Sequence, residues 1–182
     1  MLTLNTKIDH AAVIDGELIL PYGLREKSRQ RAALASGEEV AVFTLRGTVL
    51  RDGDLLQGSD PDGTLRVVRI VAAAEDTYRV ACNTPQALLR CAFHLGNRHT
   101  QAQVGEDPAG GFLRIRRDPV LKEMLAGLGA LVTEEHAPFE PESGAYGGGH
   151  HAHDGEHHGG EARHLLAPVP LRQKIHRPSD PV

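Results

Sequence analysis

The sequence predicts an α+β chain: an all-β N-terminal domain, a C-terminal domain of the ferredoxin-like β-α-β-β-α-β kind, and a disordered histidine-rich tail. Three observations predict it. Short apolar runs punctuated by Asp-Gly and Ser-Gly dipeptides fill residues 1–72. Two helical stretches, each opened by a capping residue and a proline, alternate with strands in residues 73–140. From Pro138 onward periodicity ceases, and residues 141–182 are rich in Gly, Pro and His.

In chain order, LTLNTKI, ELILP, EVAVFT, GTVLR, DLLQ and LRVVRIVA read as strands, apolar and β-rich or partly alternating. Tight turns are expected at Asp15-Gly16, Ser36-Gly37, Asp52-Gly53 and Asp62-Gly63. The basic stretch Leu24 to Arg31 reads as an exposed connection. These elements suggest a sandwich or open barrel. TYRVAC then reads as a strand, and Thr84 caps a helix begun by Pro85 and running through PQALLRCAFHL, with Gly96 expected to end it in the left-handed conformation. HTQAQV and FLRIRR are strands on either side of GEDPAGG. Asp118 and Pro119 start a second helix, VLKEMLAGL, closed near Gly129, and ALVTEE is the last strand.

Composition excludes several classes. The chain has 182 residues, 40% apolar and 4% aromatic, with no Trp, so its cores rest on Leu, Val, Ile and Ala. A formal charge of −4 without clustered basic surface argues against nucleic acid. No apolar run reaches the roughly 20 residues of a membrane span, and MLTLNTKIDH lacks the charged and apolar regions of a secretion signal. The expected location is cytoplasmic. There Cys82 and Cys91, which are not a CxxC pair, are reduced thiols acting as small core residues.

The chemistry lies in histidine. In GGGHHAHDGEHHGGEARH, residues 147–164, six imidazoles fall within fifteen residues. Neutral imidazole is the commonest side-chain ligand for Ni²⁺, Zn²⁺ and Cu²⁺, so His150, His151, His153, His157 and His158 form a candidate chelating stretch for several weakly held, exchanging ions. In the folded part, HLGNRH places His94 in the last helical turn, where a cationic side chain suits the dipole, and His99 in the following loop. One loop imidazole is a poor metal site; a two-fold dimer would bring two copies together. No phosphate loop and no nucleophile-base pair is legible, so the chain is not read as an enzyme.

These residues resemble the UreE family of urease accessory proteins, the nickel metallochaperones. The resemblance is carried by SGEEVAVFTLRGTVLRDGDLL, HLGNRH, DPVLKEMLAGLGALVTEEHAPFEPESGAYGGGHH and the histidine-rich end, in the family's order. It implies an N-terminal domain similar to a chaperone peptide-binding domain, and homodimerisation through a ferredoxin-like C-terminal domain. It also implies that His99 of both subunits is the shared metal ligand. The implied partners are the accessory GTPase UreG and the apo-urease maturation complex. Where some relatives carry an HDH triplet, this chain has Arg117, Asp118 and Pro119, so that secondary site is not carried over.

The expected function is therefore capture and delivery of Ni²⁺. Two imidazoles fall short of the about four to six ligands of a nickel shell, and tail histidines, His151 or His153 foremost, would complete it. Two alternatives stand beside this one: a storage or buffering protein whose tail holds Ni²⁺ or Zn²⁺, and a peptide-binding co-chaperone module.

Overall fold

The computed structural model describes residues 1–143. Residues 2–72 build one mixed six-stranded sheet from β1 (Leu2–Ile8), β2 (Gly16–Leu20), β3 (Arg29–Ala33), β4 (Glu39–Phe43), β5 (Leu55–Ser59) and β6 (Leu65–Ala72), in the order β2-β6-β5-β1-β4-β3. Pairs β1/β4 and β2/β6 are parallel and the others antiparallel. Alternation decides which faces are buried: Leu2 and Leu4, Leu18 and Leu20, and Val40 and Val42 join Leu50, Leu56, Val68 and Ile70 in one core. Gly58 sits where β5 crosses a register shift in β1, and a Cβ there would lie 2.0 Å from the Thr3 carbonyl oxygen. Only glycine permits that approach.

The second sheet contains β7 (Ala74–Ala81), β8 (Gln103–Asp107), β9 (Gly110–Arg116) and β10 (Leu131–Pro138), antiparallel in the order β10-β7-β9-β8. Helix α2 (Pro85–Gly96) joins β7 to β8, and α3 (Pro119–Gly127) joins β9 to β10. Both start as their sequences predict: the Thr84 hydroxyl accepts from the Ala87 N–H (3.2 Å), and the Asp118 carboxylate accepts from Val120 and Leu121 (2.9 and 3.1 Å). Leu95 and Cys91 of α2 and Leu125 of α3 pack on Tyr78, Val80, Leu113 and Ile115 of the sheet.

Several expectations need correction. Leu24 to Arg31 is not an exposed connection. Tyr22–Arg25 forms a single helical turn, α1, with Arg25 fully buried, and β3 follows as an edge strand whose charged side chains face solvent. GTVLR is not a strand. Leu50 is buried, but its N–H donates to the Arg25 carbonyl (3.0 Å) and its carbonyl accepts from the Arg25 guanidinium (3.2 Å), so Arg25 occupies the place of a neighbouring strand. Asp15-Gly16 makes no tight turn: Asp15 pairs with Val67 through N–H to O (2.7 Å) and Oδ2 to N–H (2.7 Å), leading straight into β2. HTQAQV yields its strand only from Gln103, because the chain first turns through His99. Disorder was expected from residue 141, yet Pro141 to Ser143 are held by hydrogen bonds to Arg51 and Ala102. The rest of the tail lies outside the described residues.

Candidate metal site

Gly96 stays helical, and the left-handed residue that ends α2 is His99, with φ +53°. The Thr100 N–H reaches the Leu95 carbonyl (3.1 Å) and the His99 N–H reaches the Gly96 carbonyl (2.9 Å), the bond pair of a Schellman motif. Helix α3 ends in the same motif, Ala130 to Leu125 (3.1 Å) and Gly129 to Ala126 (2.9 Å), with Gly129 at φ +88° in the position His99 holds. Glycine reaches that conformation without cost, whereas a side chain pays for it. Among the described residues His99 is the one non-glycine with positive φ. Such local strain concentrates where a side chain's placement matters.

The turn presents His99 on the rim of two depressions. One, of about 570 Å³, is floored by Leu95, Ala102 and Leu113 and walled by Tyr22, Arg51 and Ser143. The other, of about 730 Å³, carries Arg98, Arg116 and Arg117. Arg116 donates to Gln101 (2.8 Å), Arg117 pairs with Glu134 (3.0 Å), and a hydrogen bond with Tyr78 raises the Arg117 pKa further. The two carboxylates lining this side are engaged: Asp118 caps α3, and Glu26 accepts from Gln101 (3.0 Å). The three arginines are matched by Glu26, Asp118 and the Glu134 that pairs with Arg117, so a cation beside His99 would be held by nitrogen lone pairs and not by a net negative charge.

Among the described residues no three His, Cys, Asp or Glu side chains converge into a metal cage. His99 alone of the named candidates lies in the described residues; His150, His151, His153, His157 and His158 lie outside them. His94 sits in the last turn of α2 with its ring edge-on to Phe93 (5.6 Å). Cys82 and Cys91 have sulfurs 3.8 Å apart, and burial, then the Cys82 contact, pushes the Cys91 thiol up to about 11. At neutral pH Cys91 is a protonated core thiol, not a thiolate ligand. Sequence reasoning set Arg98 beside His99 but missed Arg116, which ends β9, and Arg117, which follows it, because only the fold brings the two segments together.

On the same helix, Leu89 and Phe93 are one turn apart and 70% and 65% exposed. A helix that buries Cys91 and Leu95 on one face and exposes two large apolar side chains on another has a face suited to a partner.

Comparison with known proteins places this architecture. Residues 4–73 match the family model of the UreE urease accessory protein, N-terminal domain, and residues 75–164 that of its C-terminal domain. The chain is 64% identical over 180 residues to the urease accessory protein UreE of Nitrosospira multiformis and 68% identical to that of Janthinobacterium sp. (strain Marseille), covering 99% of this chain and 98% of each relative. It is 50% identical over 157 residues to the UreE of Burkholderia orbicola, covering 78% of this chain and 73% of that one. The chain belongs to the UreE family of urease accessory proteins.

Proposed function

We propose that this accessory protein, which is not an enzyme, captures Ni²⁺ at a site shared by two copies of the chain and passes it on for urease maturation. The single observation that carries the reading is His99, held in a strained left-handed turn and aimed at open space. An incomplete, exposed site suits handing over an ion, where a closed four-ligand cage suits keeping it. Two His99 imidazoles from a homodimer, with ligands drawn from His150, His151, His153, His157 and His158, form the shell. Zn²⁺ and Cu²⁺ compete for the same nitrogens.

The dimer forms through the C-terminal domain, residues 73–140, and the exposed Leu89 and Phe93 supply apolar surface for it. We read that domain as ferredoxin-like, supported by its β-α-β-β-α-β order and sheet order β10-β7-β9-β8. Residues 1–72 form the other domain, and the histidine-rich tail follows from 141. The receiving partners are the accessory GTPase UreG and the apo-urease complex, in the cytoplasm. No helix of the described residues is long and apolar enough to cross a membrane. The alternatives, a tail-based metal buffer or a peptide-binding co-chaperone module, are not favoured for a member of an accessory family.

The test is activation of apo-urease by nickel-loaded protein in the presence of a chelator that removes free ion. Delivery predicts that His99→Ala abolishes activation. A buffer predicts that the substitution leaves it intact while loss of the tail histidines removes it.

A further inference from the structure

The chain has two cysteines, and the fold brings them together. Cys82 follows directly on β7, and Thr84 and Pro85 then start α2, whose buried face packs back on Tyr78 and Val80 of the strand just left. Leu88, Cys91 and Leu95 follow one another at helical spacing along that face. Cys91 thereby returns to the residue that precedes the helix, and the two sulfurs lie 3.8 Å apart.

Their surroundings differ. Cys91 is fully buried, whereas Cys82 is half-buried at the edge of the same core. Burial, then the Cys82 contact, pushes the Cys91 thiol up to about 11, so it keeps its proton and offers no thiolate to solvent. Cys82 is the sulfur that a small reagent can reach. A core that needs only volume at these positions is filled as well by alanine or valine, but two thiols in contact have a reaction that apolar side chains lack. Closing 3.8 Å to the roughly 2.05 Å of a sulfur–sulfur bond takes about 1.8 Å of approach, within the reach of side-chain rotation.

We infer that Cys82 and Cys91 are a modification site: a reversible disulfide pair that a hydroperoxide closes and a dithiol reopens. With hydrogen peroxide, the Cys82 thiolate attacks one oxygen, the S–O bond forms and the O–O bond breaks. The leaving hydroxide takes up the proton that Cys82 released and departs as water, and Cys82 is left as a sulfenic acid. The Cys91 sulfur then attacks the sulfenic sulfur. The S–S bond forms as the S–O bond breaks, and the second hydroxide leaves with the Cys91 proton as water. Two thiols are oxidised and one peroxide is reduced. Cys91, held in contact, is the resolving thiol that keeps Cys82 from going on to sulfinic acid. In a reducing compartment such a bond is transient. While it lasts it staples the end of β7 to α2, the helix that exposes Leu89 and Phe93 and ends in the turn holding His99. The inference does not depend on the metal reading.

The test treats the full-length protein with hydrogen peroxide in the presence of chelator. Trypsin cuts after Arg79, Arg90 and Arg98, which places the cysteines in separate peptides, residues 80–90 and 91–98. A non-reducing digest therefore reports the bond as one linked pair. The expected result is that pair in place of both free peptides, its loss on adding dithiothreitol, and a Tm rise of about 5–10 °C for a closed loop of this length. Dimedone, which traps sulfenic acid, should label Cys82 in Cys91→Ala and not in the natural chain. Any of four results overturns the inference: both peptides recovered as free thiols, Cys82 carried to sulfinic acid beside an intact Cys91, a bond between the Cys82 residues of two chains, or a linked protein that melts no higher than the reduced one. All four are read on the natural chain, so a Cys91→Ala protein that fails to fold leaves the test whole.

Discussion

Replacing His99 by glycine should make the metal-free protein more stable while destroying its nickel site. His99 sits at φ +53°, and the equivalent position of the neighbouring helix is Gly129 at φ +88°. A side chain in the left-handed region costs about 1–2 kcal/mol, and glycine there returns about 0.5–1 kcal/mol of that as extra unfolded-state entropy. The net gain is about 0.5–1 kcal/mol, or about 1–4 °C in Tm for a chain of this size. His99→Ala keeps the Cβ and should gain nothing, and His99→Asn should fall between, since Asn visits this region readily. The reciprocal control is Gly129→Ala, which should lose a comparable amount. The assay is thermal unfolding in chelator, followed by the same series in nickel. A ligand at a hundred-fold excess over Kd adds about 2.7 kcal/mol to a binding-competent protein, so the order inverts and the natural chain becomes the more stable. A His99→Gly protein that melts below the natural one in chelator would refute the strain argument. One that still gains stability from nickel to the same extent would refute the ligand assignment.

Other consequences are open to simpler measurement. Gly58→Ala should cost about 3 kcal/mol, because its Cβ would meet the Thr3 backbone and not a side chain able to move; denaturant unfolding reads this directly. With the Cys91 thiol pushed up to about 11, iodoacetamide at pH 8 should modify the partly exposed Cys82 first and Cys91 only on unfolding, which peptide mass mapping would show. The Arg66 guanidinium beside Glu38 and the Arg79 guanidinium beside Asp107 hold these carboxyls below their ordinary pKa values. Their folded pKa values are depressed, so their stabilisation is present above the ordinary carboxylate range and lost as pH falls through the depressed values. Tm should therefore decline below about pH 4.5, and less steeply in Glu38→Gln or Asp107→Asn.

Local rules made much of the fold legible. Six of the ten strands lie within a residue or two of the apolar runs that announce them, and Thr84-Pro85 and Asp118-Pro119 mark both longer helices at their first turn. What escaped was non-local. Arg25 reads as surface in a basic stretch, and only the carbonyls of Leu20, Leu50 and Phe139 converging from three segments explain its burial. GTVLR looked like strand because it is apolar and β-rich, yet the backbone bonds of its Leu50 go to Arg25. Gly96 looked like the left-handed stop because glycine favours that φ; it is the last helical residue, but the left-handed position falls three residues on, at His99. In the candidate site, His99 was visible as a residue but its conformation was not. The arginines facing it come from segments about eighteen residues apart, joined only by the sheet.

The central claim is that nickel is held between two copies of the chain by His99. Calorimetric titration of the full-length protein carrying Gln at the five tail histidines, beside the same protein with His99→Ala, tests it most directly. The account predicts one ion per two chains for the first and none for the second. Nickel binding of equal stoichiometry in both, or no binding by either, would contradict it.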